Sequence, residues 1–462
     1  MSRTKPAVQQ YINHSTIPIS MVAATIPNTS AAGSFGLDFR SLMAGLSPSS
    51  IRGAIALFAV MIAAACTDPV TQPRAFSVLD DVGQSDWTAV SVGTDHSCGI
   101  KASGALYCWG SDRYGQLGVA VPDTTCGGEQ TQFPCMVRPT RSQPALRFIS
   151  VSAGAKHTCA IATTREAYCW GANDVGQVGA SSAGGPNPVR VSGTLGWAQI
   201  SAGYSHTCAV RTDGTLFCWG ANDRGQLGNG NFATGVNMVR VPLSGSVASV
   251  SAGESRTCAR TTAGNVFCWG AVWTARTSGL ELTRAQITPQ AVPGSPAMAN
   301  LSVGSFTTCG TDLSGIAYCW EGNPRGEMGN GTQDGSTTPL PVSGNLTFVQ
   351  VSAGIVQSCG ITSSGAGYCW GDDSFGQLGV APSLLVDRCG DQTLPCAMKP
   401  VAIFGRQRFI DISTSFGSHA CGVTTLGNLY CWGLGVSGQR GDGTAVNSVS
   451  TPIMVREPVA GS

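Results

Sequence analysis

The chain has 462 residues, only 11% of them charged, with Lys+Arg 27 against Asp+Glu 26 and a formal net charge of +1. Average soluble proteins carry roughly 25% charged residues. Only Lys5, Lys101, Lys156 and Lys399 are lysines, which argues against a nucleic-acid or acidic-membrane partner, since phosphate binding needs a dense cationic face. Gly 61 and Pro 24 make 85 of 462 residues, or 18%, turn-rich but below the roughly 25–30% of a low-complexity chain. Gly, Ser, Thr and Val dominate over helix formers, so an all-β fold is expected.

Residues 1–42 precede an export signal and are expected to be a non-native or disordered extension, with Met43 as a candidate true start. Residues 43–66 read as a signal peptide: Arg52, an apolar run over 53–65, then Ala63-Ala64-Ala65 before Cys66. The run is too short to span a bilayer, which needs roughly 20 residues. It resembles a bacterial lipoprotein signal, in which Cys66 would be lipidated; an ordinary secretory signal is the alternative. Both predict export to an oxidising compartment, secreted or lipid-anchored in the cell envelope at the outer membrane, with the membrane reached only through Cys66. Residues 67–86 read as a tether, with Pro69 and Pro73 opposing regular structure.

From Trp87 to 457 one pattern recurs seven times, with repeat cores at 87–118, 148–179, 197–228, 247–270, 299–329, 348–379 and 408–441. Its first cysteines are Cys98, Cys159, Cys208, Cys258, Cys309, Cys359 and Cys421. Ten positions on stand Cys108, Cys169, Cys218, Cys268, Cys319, Cys369 and Cys431, each followed by a tryptophan (Trp109, Trp170, Trp219, Trp269, Trp320, Trp370, Trp432). A period near 50 with strand-type content means a propeller or a solenoid. Each copy holds four short strand patterns separated by turn residues such as Thr212-Asp213-Gly214. Four-stranded units repeated seven times predict a closed seven-bladed β-propeller, whose closure leaves only short edges. A β-solenoid is the alternative, but its coils are usually shorter and it would need capping units.

Cysteines ten apart across a tight turn fall opposite one another in a hairpin, where Cα atoms lie about 4.5–5.5 Å apart, within the roughly 4.4–6.8 Å that a disulfide needs. One disulfide per blade is predicted, each contributing on the order of 2–3 kcal/mol. Metal ligation competes, because His96, His157, His206 and His419 recur nearby, but Arg256, Thr307 and Gln357 replace them in the other copies. Structural zinc also prefers closer cysteine spacing. The tryptophans are expected to pack between blades, with a ligand cage as the other reading. The Asn/Asp-Gly loops are expected to cap their own turns; calcium would need several converging carboxylates.

The recurring segments ISAGYSHTCAV, GTLFCWG and NDRGQLG resemble the regulator of chromosome condensation repeat family, in seven copies over about 370 residues. The resemblance implies a seven-bladed β-propeller. Copy four departs after Trp269 (GAVWTARTSGLEL), copy five has Glu321 after Trp320, and copy seven reads Gly438-Gln439-Arg440-Gly441. The family's eponymous members are nuclear exchange factors for a small GTPase and bind chromatin; their exchange residues do not map onto this chain.

No nucleophile elbow, phosphate loop or metal helix is present, so no catalytic residue, metal or cofactor is assigned. The expected function is a monomeric, non-catalytic binding propeller with a protein or glycan partner on one ring face. An extracellular propeller enzyme acting on polysaccharide is the alternative, and a guanine-nucleotide exchange regulator a weaker one. Two insertions carry the remaining cysteine pairs, Cys126 with Cys135 and Cys389 with Cys396. They are read as stapled loops forming a two-pronged contact site, with Glu129, Phe133, Asp391 and Leu394 as binding residues and Phe133 and Leu394 as apolar tips; tolerated surface loops are the other reading. The run Thr451–Val455 is expected to pair beside Thr88–Val92 and close the ring, with Arg74–Val78 as the rival strand.

Overall fold

The computed structural model describes residues 85–457, apart from 120, 121, 123, 128–130, 182, 193–195, 277, 278, 386, 391, 392 and 415, and apart from the side chains of 273–284. The described residues lie within one compact unit, Gln84–Ser462. Cys66, the signal and the rival strand Arg74–Val78 therefore lie outside the described residues. No described helix is long and apolar enough to cross a membrane.

Seven antiparallel sheets follow one another along the chain. The blades span 87–141, 148–190, 197–240, 247–291, 298–341, 348–402 and 409–454. In blade three the order is Trp197–Ala202, His206–Arg211, Leu216–Gly220, Gly235–Arg240, each strand pairing with the next. The short strands follow from the sequence: β-branched and small residues run for five or six positions, then a Gly-containing turn ends each run. The blade's first strand opens on a large ring or chain (Trp87, Phe148, Trp197, Val247, Met298, Phe348 or Phe409), nearly fully buried, which fills the space behind the sheet.

Alternation of strand direction defines two faces. The first strands run from what we term the terminus face to the hairpin face, and the fourth strands return. Chain entry at Trp87 and exit after Met454 both lie on the terminus face. Three hairpins project at the other. In blade one Thr124–Cys126 pairs with Phe133–Arg141, and in blade six Asp387–Cys389 pairs with Leu394–Ala402. These extra strands make two blades five-stranded. In blade four the third and fourth strands, Val266–Arg276 and Gly279–Ala291, continue as one long hairpin where the other copies carry G-Q-L-G or a close variant.

Nine disulfides link the eighteen cysteines from Cys98 onward. Seven lie within the repeats: Cys98–Cys108, Cys159–Cys169, Cys208–Cys218, Cys258–Cys268, Cys309–Cys319, Cys359–Cys369 and Cys421–Cys431. Their linked Cα atoms are 4.0–4.2 Å apart, slightly below both ranges that the hairpin and the bridge lead one to expect. The two hairpin bridges, Cys126–Cys135 and Cys389–Cys396, are wider, at 5.8 and 5.9 Å. Cys396 sits between two strands, opposite Asp372 on one side and Asp387 on the other, so its bridge to Cys389 runs diagonally across the hairpin and not between directly opposed residues.

Ring closure corrects the expectation for Thr451–Val455. Strand Val449–Met454 pairs with Leu429–Gly433 of its own blade, not with the first strand. Every blade is built from contiguous chain, so no strand is left to share. Closure is instead made by the serine near the end of each blade's first strand. Ser91 Oγ accepts from Ala153 N at 2.9 Å, and equivalent bonds join Ser152 to Ala202, Ser201 to Ala252, Ser251 to Val303, Ser302 to Ala353 and Ser352 to Thr414. Ser413 Oγ then accepts from Val92 N at 3.2 Å, so blade seven grips blade one. The chain end reinforces this: Glu457 accepts from Lys101 Nζ at 2.7 Å and from Trp87 Nε1 at 3.2 Å.

Candidate binding face

At the hairpin face the first-to-second strand turns crowd around the ring axis. Gly93, Gly154, Gly203, Gly253 and Gly304 each stand where a Cβ would collide with the carbonyl oxygen of the following blade's glycine. Only glycine permits this approach. Two rings from non-adjacent blades meet over the mouth: Tyr204 of blade three and Phe416 of blade seven pack edge-on with centroids 6.4 Å apart. Asp95 and Glu254 lie in the same turns, and burial raises both carboxyls above their ordinary range; Arg113 and Lys156 counteract the rise at Asp95.

Chemistry-bearing side chains beneath these turns are committed to holding blades together. His96 Nε2 lies 2.9 Å from Thr158 Oγ1 of the next blade, His157 repeats this with Thr207, His206 with Thr257, and His419 with Ser97 across the closure. Those hydroxyls donate onward to the carbonyls of Gln116, Gln177, Gln226 and Gln439. They must therefore accept from Nε2–H, which fixes the imidazole tautomer. Burial, the dominant cause, lowers all four histidines to about 3, so they are neutral. Neutral, fully buried imidazoles spent in this way are poor candidates for a general base.

The tryptophans pack between blades as expected, and they also hydrogen-bond. Trp109, Trp170, Trp219, Trp269, Trp370 and Trp432 donate to the carbonyls of Gln439, Gln116, Gln177, Gln226, Glu327 and Gln377 of the preceding blade at 2.7–3.0 Å. Buried Trp320 has no such partner among the described residues, because blade four lacks the turn that would supply the carbonyl. The Asx loops cap themselves: Asn222 Oδ1 accepts from Leu227 N at 3.0 Å, and Asp373 Oδ1 from Leu378 N at 2.9 Å. Among the described residues no group of three or more His, Cys, Asp or Glu side chains is placed to hold a metal ion.

Both stapled hairpins project on the hairpin face. Phe133 and Leu394 sit half-buried at paired strand ends, opposite Cys126 and Cys389. The Arg113 guanidinium lies 4.1 Å from the centre of the Phe133 ring, and Lys156 Nζ lies 4.9 Å from that of Tyr114. Glu129 and Asp391 lie outside the described residues. Sequence reasoning missed the serine ring and the Tyr204–Phe416 contact. Serine in all seven copies was a readable signal for the first. Nothing in the chain order signals the second, which joins positions that are distant in sequence.

The profile described as RCC1-like domain matches residues 63–354, and the regulator of chromosome condensation (RCC1) repeat matches residues 409–439. Among curated proteins, the probable E3 ubiquitin-protein ligase HERC3 of Homo sapiens is 29% identical over 116 residues, 25% of this chain and 10% of that protein. The ultraviolet-B receptor UVR8 of Arabidopsis thaliana is 29% identical over 101 residues, 22% of this chain and 21% of that protein. The matches thus span only a tenth to a fifth of those relatives. Among solved structures, Saccharomyces cerevisiae Prp20p aligns with a TM-score of 0.65 at 18% identity, covering 80% of this chain and 88% of that one. Human WBSCR16 aligns with a TM-score of 0.64 at 20% identity, covering 77% and 94%. These structures share the fold seen here. With its profile matched over more than half its length and its seven blades closed into a ring, this chain belongs to the RCC1-like domain family.

Proposed function

We propose that the chain is an exported, non-catalytic binding propeller, held in the cell envelope by a lipid on Cys66, that takes a protein or glycan partner on its hairpin face. The observation that carries this is the gathering of three projecting hairpins on one face, two of them cross-linked, around a mouth bearing Tyr204, Asp95 and Lys156. A cross-linked loop loses less conformational freedom on binding than a free one. All described histidines and cysteines are meanwhile spent on blade-to-blade bonds and disulfides. Nine disulfides suit an oxidising compartment. Protein binding also fits the fold relatives: the Prp20p structure is described with binding to Gsp1p and histones, and yeast RCC1 (Prp20) has been solved bound to Kap60. The net charge of +1 and the compartment proposed here do not suit nuclear partners.

The test is capture from envelope extract by wild-type protein and by a variant whose 119–135 and 386–396 segments, each removed with its whole cysteine pair, are replaced with the short connection that follows Gly228. Loss of the captured partner with an unchanged melting temperature supports the reading; equal capture by both overturns it. Fractionation with labelled fatty acid, comparing wild type with Cys66→Ser, tests the anchor separately.

A further inference from the structure

The near-zero net charge conceals a gathering of arginines on one face. On the terminus face six exposed arginines, Arg147, Arg165, Arg190, Arg240, Arg406 and Arg408, occupy the second-to-third strand turns, the fourth-strand ends and the links into the next blade. Arg147 Nη1 donates to the carbonyls of Pro144 and Leu146, and Arg408 to that of Ser364, so both guanidiniums are braced at the surface. The acids of this face are already engaged. Asp86 and Glu457 hold Lys101, Glu166 holds Arg190, and Asp213 and Asp312 accept backbone N–H groups in their own turns. The hairpin face mixes both signs: Asp174 and Asp223 stand there with Arg113, Lys156, Arg224 and Arg388.

Exposed apolar side chains stand on the same face of blades five to seven, where Arg406 and Arg408 also lie: Leu313 is 77% exposed, Val349 59%, Ile410 53% and Leu426 57%. The upstream chain also enters the ring on this face, where a Cβ on Gly427 would strike the Ser85 carbonyl and Trp87 N donates to Gly427 O. Ser85 lies nineteen positions after Cys66, a reach of at most about 65 Å when fully extended.

We propose that the terminus face rests on an anionic bilayer, its arginines pairing with lipid phosphates and Leu313, Val349, Ile410 and Leu426 entering the headgroup region, so that the hairpin face points away from the membrane. This rests on the reading of the chain as an envelope protein. Arginine suits the contact because its planar fork binds phosphate bidentately. Each basic residue near an anionic surface raises partitioning roughly fivefold, and the attraction is screened by salt. Leucine and isoleucine beside basic residues are the composition of an interfacial surface. Whole-chain charge pointed away from such a surface; the fold supplies it by bringing these arginines onto one face.

The experiment uses the mature chain from residue 67 onward, which carries neither the apolar run 53–65 nor Cys66, and sedimentation with vesicles of phosphatidylcholine alone or with one quarter phosphatidylglycerol. Binding to the phosphatidylglycerol vesicles, lost at high salt, is expected. The variant R147Q/R165Q/R406Q/R408Q should bind at least tenfold more weakly, while a lysine version of the same four positions retains binding and R113Q/R224Q/R388Q on the hairpin face matches the parent. Equal binding to neutral vesicles, no binding at low salt, or the same loss in both glutamine variants overturns the proposal. So does a dimer that the four-arginine variant abolishes, which would assign the face to a second copy. Because Cys66 is absent throughout, failure here leaves the anchor reading standing, and failure of fatty-acid labelling leaves vesicle binding standing.

Discussion

Arg256 Nη2 of blade four lies 2.5 Å from Glu321 Oε1 of blade five, in a site where both side chains are buried. Glu321 also accepts from Thr308 Oγ1 at 3.0 Å. It occupies the position after the repeat tryptophan, where the other six blades have glycine with φ of +90° to +103°, and it adopts φ +84° itself. A side chain in that region costs on the order of 1–3 kcal/mol. The two departures compensate one another: blade four has lost the turn carbonyl and carries arginine in place of histidine, and an ionic clasp replaces the neutral one. Removing one partner leaves a buried charge unpaired, at a cost of about 3–5 kcal/mol. Glu321→Gly should therefore destabilise the ring despite relieving its backbone. The double variant R256H/E321G, whose new imidazole can reach Thr308 as at other boundaries, should recover most of the loss in urea denaturation.

Trp219 and Trp320 provide a matched pair. Both indoles are buried, but only Trp219 donates to a carbonyl, that of Gln177 at 3.0 Å. Replacement by phenylalanine removes similar volume at each site. Trp219→Phe should cost about 0.5–1.5 kcal/mol more than Trp320→Phe in chemical denaturation, the net worth of one hydrogen bond.

Histidine and carboxylate burial impose opposite pH dependences. His206 falls to about 3 in the fold from an ordinary value of 6.5, so between those values the unfolded chain binds a proton that the folded chain refuses. Its contribution is complete above about pH 7 and is lost as pH falls. Relative to a His206→Asn variant, the wild type should lose about 1.4 kcal/mol per pH unit below about 6.5 and show a constant difference above about 7.5. Glu327 is pushed up by burial to about 8 from 4.5, so its folded form binds the proton more tightly. Relative to Glu327→Gln, the wild type should gain stability as pH falls from about 8 towards about 5. Urea melts at several pH values across that range check both signs.

Two kinds of disulfide differ in what they close. Cys208–Cys218 ties central strands of a blade, whereas Cys126–Cys135 ties a hairpin at a blade's outer edge. Each closes a loop of about ten residues, an entropic contribution on the order of 2.5 kcal/mol. Replacing Cys208 and Cys218 with alanine should lower global stability by at least that much, since it also leaves a cavity in the core. Replacing Cys126 and Cys135 should leave the melting temperature nearly unchanged while increasing hydrogen exchange within 124–135, because that hairpin opens without the ring. The same outcome is expected for Cys389 and Cys396, with faster exchange confined to 387–396.

Fold, blade count and the nine cysteine pairs were legible in chain order because each depends on local periodicity. Cysteines ten apart meet across one turn, and a strand pattern repeated every 50 or so residues leaves few ways to bury its faces. The disposition of Gln177 around Trp219 was not legible, because that bond crosses a blade boundary. Ring closure was misread for the same reason: Thr451–Val455 has strand character, but whether it joins Leu429–Gly433 or Thr88–Val92 depends on where each blade begins relative to the axis. The binding face was half legible. The paired insertions were visible as sequence, yet that they project on one side, opposite the arginines, follows only from strand direction in the assembled ring. Local composition specified the blades; contacts between residues hundreds of positions apart, such as Val92 with Ser413, decided how the blades lock and which chemistry each face presents.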